Sequence, residues 1–215
     1  MLSWSSASLD NELLPWGIEQ LGLAIGADAQ AALLAYLRLL AKWNRVYNLT
    51  AQKSLEQMIV HHLLDSLAVV PYLKGSLVLD VGTGAGLPGI PLAIARPELS
   101  FVLLDSQQKK TRFVRQTVLE LGLANVEVVQ ARVGDFHPAQ RFDTVISRAF
   151  AALGNFVREV GHLCQPGGRI LAMKGRYPET ELKEIPEPYT VVAVTELTVP
   201  GLRGERHLIQ IRSGN

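Results

Sequence analysis

The chain has 215 residues, 48% of them hydrophobic and 19% charged, with a formal net charge of +1. Such a chain suits one domain with a sizeable core, and its near-zero charge excludes a global field that would draw it to polyanions or anionic membrane; a polyanionic partner has to meet a local patch. The lone cysteine, Cys164, excludes an intrachain disulfide framework. No stretch approaches the roughly 18 apolar residues of a membrane span, and the N-terminus MLSWSSASLDNELLPWG lacks the basic start and apolar core of an export signal, so a cytoplasmic location is expected.

From about Asp28 to Pro71 apolar residues recur at helical spacing: Leu33, Leu34, Leu37, Leu40 and Trp43, then Ile59, Leu63 and Leu67. Between the two sets YNLTAQKS predicts a turn, and Ser54 with Gln57 three residues later predicts the cap of the second helix. After Gly75 come LVLDV, FVLLD, VEVVQA, TVISRA and RILAMK, short aliphatic runs alternating with helical stretches, as in a parallel sheet covered on both faces. YTVVAVTELTVPG and HLIQIR have no helix between them long enough for a crossover and predict an antiparallel end. The expected class is α/β, with residues 1–75 a helical extension packed on the core and residues 76–215 the sheet domain, in one compact unit.

The first strand runs into VGTGAGLPGIP, where Gly82, Gly84 and Gly86 are spaced by single residues and Pro88 and Pro91 fall in the first turn of a helix. A dinucleotide fingerprint needs a third glycine for close packing of helix on strand, and Leu87 stands at that place. No G-K-[ST] follows, which excludes a P-loop. Asp80 would face the space where a pyrophosphate lies, and a carboxylate beside phosphate is repulsive, so the turn suits a ligand without phosphate. Asp105, at the end of the second strand, is placed to accept hydrogen bonds from both hydroxyls of a ribose. Glycines for close backbone approach, Asp105 for the ribose and Asp80 near a cationic tail point together to S-adenosyl-L-methionine. The competing explanation is a tight turn with Asp105 capping the next helix.

KWNRVYNLTA, HHLLDSL, LDVGTGAGLPGIPLAI, LLDSQQKKTRF, ISRAFA, MKG and GERHLI together are far more specific than a cofactor loop. In them the chain resembles, over nearly its whole length, the bacterial 16S ribosomal RNA guanine-N7 methyltransferases, also called glucose-inhibited division protein B. The resemblance implies a class I, Rossmann-like methyltransferase sheet, mostly parallel with an antiparallel C-terminal strand. It implies methyl transfer from S-adenosyl-L-methionine to N7 of a guanine in 16S rRNA, at the position usually numbered 527, within the small ribosomal subunit or a precursor, by a monomer. Cofactor contacts are implied at Gly82 and Leu87, at Val133 and Gly134 after the third strand, and at Arg148. Gly134 stands where relatives commonly carry an acid, so contact there is expected through the backbone.

His61 and Asp65 are spaced i,i+4 and lack a third metal ligand; they read as a structural hydrogen-bonded pair, and no metal is assigned. Trp43, Asn44 and Asn48 suit RNA contact and equally suit packing and capping. Lys109, Lys110, Arg112, Lys174, Arg176, Arg203 and Arg206 are expected to supply a local basic surface at the carboxyl edge of the sheet. Ser147-Arg148-Ala149-Phe150 replaces the Asp/Asn-Pro-Pro-aromatic motif of exocyclic-amine methylation, and Cys164, expected in a later helix, stands away as a nucleophile. Guanine N7 already presents a lone pair and needs alignment more than activation, so Arg148 is expected to position the reactants, not to act as acid or base. The alternatives are methylation of a protein or small molecule, or a cofactor-binding module without catalysis.

Overall fold

A computed structural model describes residues 9–148, 150 and 152–212. Seven strands form one sheet: β1 (Leu77–Val81), β2 (Ser100–Asp105), β3 (Val126–Gln130), β4 (Phe142–Ser147), β5 (Cys164–Lys174), β6 (Thr190–Glu196) and β7 (His207–Arg212). Their order is β3-β2-β1-β4-β5-β7-β6, and β7 alone runs against the others. The aliphatic runs of the central strands have a simple cause. Both faces are covered, so neighbouring side chains enter opposite cores: Val78 and Leu103 one, Leu79 and Leu104 the other. The chain moves outward from β1 through β2 to β3 and returns to β4 on the other side of β1, which opens a crevice at the carboxyl ends of β1 and β4.

The helices are α1 (Leu9–Gln20), α2 (Ala27–Tyr47), α3 (Leu55–Met58), α4 (Asp65–Leu67), α5 (Gly89–Ala95), α6 (Gln108–Leu121), α7 (Leu153–Val160) and α8 (Glu179–Lys183), with a π-helical segment, Ile59–Leu64, joining α3 to α4. Leu33, Leu37 and Leu40 of α2 and Ile59, Leu63 and Leu67 beyond it are buried in the same apolar cluster as α5, α6 and one sheet face. α7 belongs to the cluster on the other face. The Ser54 hydroxyl accepts from the Gln57 amide at 3.2 Å, as its spacing predicts.

The helical spacing read from about Asp28 leaves out α1, which lies within the expected helical extension of residues 1–75 and buries Leu13, Leu14 and Ile18; Pro15 inside it interrupts a short apolar pattern. Two features depart from the sequence expectation. Cys164 opens β5 instead of lying in a helix, because α7 has already ended at Val160. It is buried, and burial pushes its thiol up to about 12. The π segment changes the helical period just where an i,i+4 face is assumed for His61 and Asp65.

Candidate functional site

The glycine turn is built from beneath. Gly82 and Gly84 have φ of 70° and 62°, a region open to glycine and strained for other residues. Asp80 is fully buried; its Oδ2 accepts from the Thr83 hydroxyl at 2.6 Å and from the Gly89 amide at 2.8 Å. Through Oδ2, Asp80 therefore braces the loop and the start of α5, a role its expected place near a cationic tail did not include, while its Oδ1 is buried without a hydrogen-bond partner among the described residues. Close helix–strand packing is also present, two residues later than the fingerprint puts it: a Cβ on Gly89 would collide with Leu103 and with the Asp80 carboxylate. From the side, the buried Tyr36 of α2 donates its hydroxyl to the Ala85 carbonyl at 2.8 Å, and burial raises its phenol above the usual range.

Asp105 joins the first two loops. Its Oδ2 accepts from the Gly84 amide and its Oδ1 from the Gln107 amide, both at 2.9 Å. The capping and ligand roles weighed for it are compatible, because an ionised carboxylate has about four acceptor positions and these bonds use two. Lys110 Nζ lies 3.9 Å away.

Three adjoining cavities follow the crevice. The first, about 420 Å³, brings together Gly82, Asp105 and Val133. A second, about 290 Å³, is lined by Gly82, Gly84, Leu87, Lys110 and Arg148. The third, about 300 Å³, takes in Arg148 from its other side with His61, Asp65, Lys174 and Arg206. Gly134 lies in the short turn Val133–Asp135 and lines none of these cavities; a side chain there would meet nothing within 4 Å.

Asp65 is the residue whose role the sequence obscured. It is fully buried, and its carboxylate pairs with two arginines instead of the His61 side chain: Oδ2 receives Arg148 Nη1 at 3.2 Å and Oδ1 receives Arg206 Nε at 2.7 Å. Arg148 Nη1 also donates to the His61 carbonyl at 3.0 Å. Lys174 is held by Glu181 at 2.8 Å and by the Phe150 carbonyl at 3.2 Å. Thus Lys174 and Arg206 of the expected basic surface stand inside the crevice, while Lys109, Arg112, Arg176 and Arg203 are exposed. Among the described residues no three His, Cys, Asp or Glu side chains gather as a metal-holding group.

Two buried groups give the site an acid response. Burial, helped by Arg148, lowers His62 to about 4, so the fold holds it neutral. Its stabilising contribution is present above the unfolded value near 6.5 and is lost as pH falls toward 4. Burial raises Asp80 to about 6 against the bonds from Thr83 and Gly89. Its contribution has the opposite sign, complete below the unfolded value near 3.8 and lost as pH rises through 6. His62→Gln removes only the first, so between pH 6.5 and 4 the variant should gain about 2 kcal/mol on the wild type in urea unfolding; a gap constant with pH would refute the assignment.

A seven-stranded sheet in this order, its seventh strand reversed and its crevice at the glycine turn, defines a class I methyltransferase. The fold is shared by the N-methyltransferase NodS from Bradyrhizobium japonicum WM9 in complex with S-adenosyl-L-homocysteine, with a TM-score of 0.57 and 14% identity over 84% of this chain and 98% of that one. The model of the GidB family, rRNA small subunit methyltransferase G, matches residues 29–209, and the chain belongs to that family. It is 55% identical over 193 residues to the Ribosomal RNA small subunit methyltransferase G of Alkalilimnicola ehrlichii, covering 90% of this chain and 88% of that protein. With the same enzyme of Nitrosococcus oceani it shares 52% over 205 residues, covering 95% and 96%. Among the described residues no helix is long and apolar enough to cross a membrane.

Proposed function

We propose that the chain transfers a methyl group from S-adenosyl-L-methionine to N7 of a guanine in 16S rRNA, at the position usually numbered 527. The carrying observation is the family match across residues 29–209. The residues present also fit the cofactor: Asp105 retains acceptor positions for ribose hydroxyls, Gly82 and Gly84 admit close backbone approach, and the glycine turn is followed by no phosphate-binding lysine. When bound, the cofactor supplies an electrophilic methyl group on a sulfonium sulfur.

Gly82, Gly84, Leu87, Asp105 and Val133 hold the cofactor in the first two cavities, with Gly134 beside them, and Arg148 stands between cofactor and guanine. Arg148, anchored through Nη1 to Asp65 and the His61 carbonyl and lining two of the cavities, orients the base. Lys174 and Arg206 supply positive charge for carbonyl or phosphate oxygens, never for N7, whose lone pair must stay free. No side chain has to remove a proton before attack. The chain works as a monomer in the cytoplasm, on 16S rRNA within the small subunit or a precursor.

Labelled methyl transfer to ribosomal subunits lacking the modification, mapped by mass spectrometry, tests this directly. Label on another atom, on protein, or no transfer at all would refute it. Asp105→Ala is expected to weaken cofactor binding in calorimetry by about 1–3 kcal/mol, roughly 5- to 150-fold, through the lost ribose acceptor and the released Gly84 amide. Unchanged affinity would remove Asp105 from the cofactor site.

A further inference from the structure

The end of α2 and the loop after it form a groove that the proposed reaction leaves without an occupant. It measures about 800 Å³ and is lined by Asn44, Arg45, Asn48, Thr50, Lys53 and Met58, among others. Its shape follows from the loop. Asn48 ends α2 in the left-handed region, and Asn44 Oδ1 accepts the Thr50 amide at 2.8 Å, folding the chain back on the helix.

The groove leads into the active crevice. Thr50 lines it, and Thr50 Oγ1 lies 2.7 Å from His62 Nε2. The same two residues line the cavity that holds Gly84, Leu87 and Arg148. At the outer end Arg45 and Lys53 are exposed, and among the described residues neither has an ion pair or a side-chain hydrogen bond. Between residues 41 and 58 stand three cations, Lys42, Arg45 and Lys53, against one acid, Glu56.

We infer that this groove holds the RNA strand adjoining the target guanine, its phosphates against Arg45 and Lys53. The inference rests on the proposed methylation of RNA. Guanine N7 lies in the deep, narrow major groove of paired RNA, which side chains cannot read, so the target base must be splayed out and the adjoining nucleotides run single-stranded. A strand whose base enters between the glycine turn and Arg148 has a continuous polar path past His62 and Thr50 to these two cations. Because the chain carries a net charge of only +1, phosphate attraction has to come from such local unpaired cations.

The test is the double variant Arg45→Glu with Lys53→Glu, both at exposed positions. It is compared with wild type and with Arg45→Lys, Lys53→Arg, using a fluorescent stem-loop RNA that contains the target guanine and subunits lacking the modification. Calorimetry should show unchanged cofactor affinity. The charge reversal should raise KM for RNA at least about tenfold with kcat within about twofold, and the slope of log affinity against log salt should become shallower by about 1–1.5, the share of two single-strand phosphate contacts. The conservative pair should restore both. Unchanged KM and salt slope would overturn the proposal. Weakening seen with assembled subunits and not with the stem-loop would also overturn it, by assigning the groove to a ribosomal protein. A wild-type chain that methylates neither RNA would refute the proposed reaction first and this groove with it, and the wild-type arm shows which has failed.

Discussion

Replacing Asp65 with alanine is expected to destabilise the fold by about 3 kcal/mol or more, read as a lower urea midpoint of the cofactor-free protein. The carboxylate is fully buried, and each oxygen is taken by a different arginine. Truncation leaves two guanidinium groups facing each other without their counter-ion, the situation that costs about 3–5 kcal/mol when a buried pair loses one partner. Arg148 and Arg206 keep 25% and 26% of their side-chain surface in water, which places the expected loss at the lower end. Asp65→Asn keeps the shape but turns an amide N–H toward one guanidinium, so it should lose less than alanine and still be weaker than wild type. A change below about 0.5 kcal/mol for alanine, the usual bound for a surface substitution, would show that the carboxylate holds nothing.

Arg148→Ala is expected to slow single-turnover methyl transfer at least about 100-fold at saturating cofactor and RNA, more than it weakens binding of either. Displacement at a sulfonium methyl requires attacking atom, carbon and sulfur in line, and a misplacement of about 1 Å costs rate on that scale. Arg148 lines both the cavity under the glycine turn and the one that holds Lys174 and Arg206. Its Nη1 alone donates to both the Asp65 carboxylate and the His61 carbonyl, so the side chain keeps further donors in a rigid plane that the single ammonium of lysine does not have, and Arg148→Lys should remain slow. The wild-type rate should be nearly flat with pH around neutrality, since N7 needs no deprotonation. Transfer by Arg148→Ala within threefold of wild type would remove the residue from the reaction, and a steep rise governed by one deprotonated group would reveal a general base.

Much of this protein is legible along the chain because its patterns are local. An apolar run between breakers marks a strand buried on both faces, and LVLDV and FVLLD fall on β1 and β2. Glycines at alternate positions mark backbone of positive φ, as Gly82 and Gly84 show. Motif residues on successive strands point to one end of a parallel sheet, where Gly82, Asp105 and Val133 line a common cavity. Residues 42–51 also announced importance, with RNA contact and structural roles both in view for Asn44 and Asn48. In the structure Asn44 ties the loop and Asn48 ends the helix while both line a groove.

Where a side chain points, and what it meets, is a different kind of information. The sequence by itself determined the order of helices and strands, the glycine turn, Asp105 at the end of its strand and the family. Only the tertiary structure decided that Asp80 turns beneath the loop to Thr83 and Gly89, and that a π segment carries Asp65 inward. It alone decided that Asp65 meets Arg148 and Arg206, 83 and 141 residues away. The physical reason is range. Backbone conformation and hydrophobic period are set by neighbours within a few residues, whereas the partner of a buried charge is chosen by the sheet order, which brings the ends of β4 and β5 and the start of β7 beside one helix.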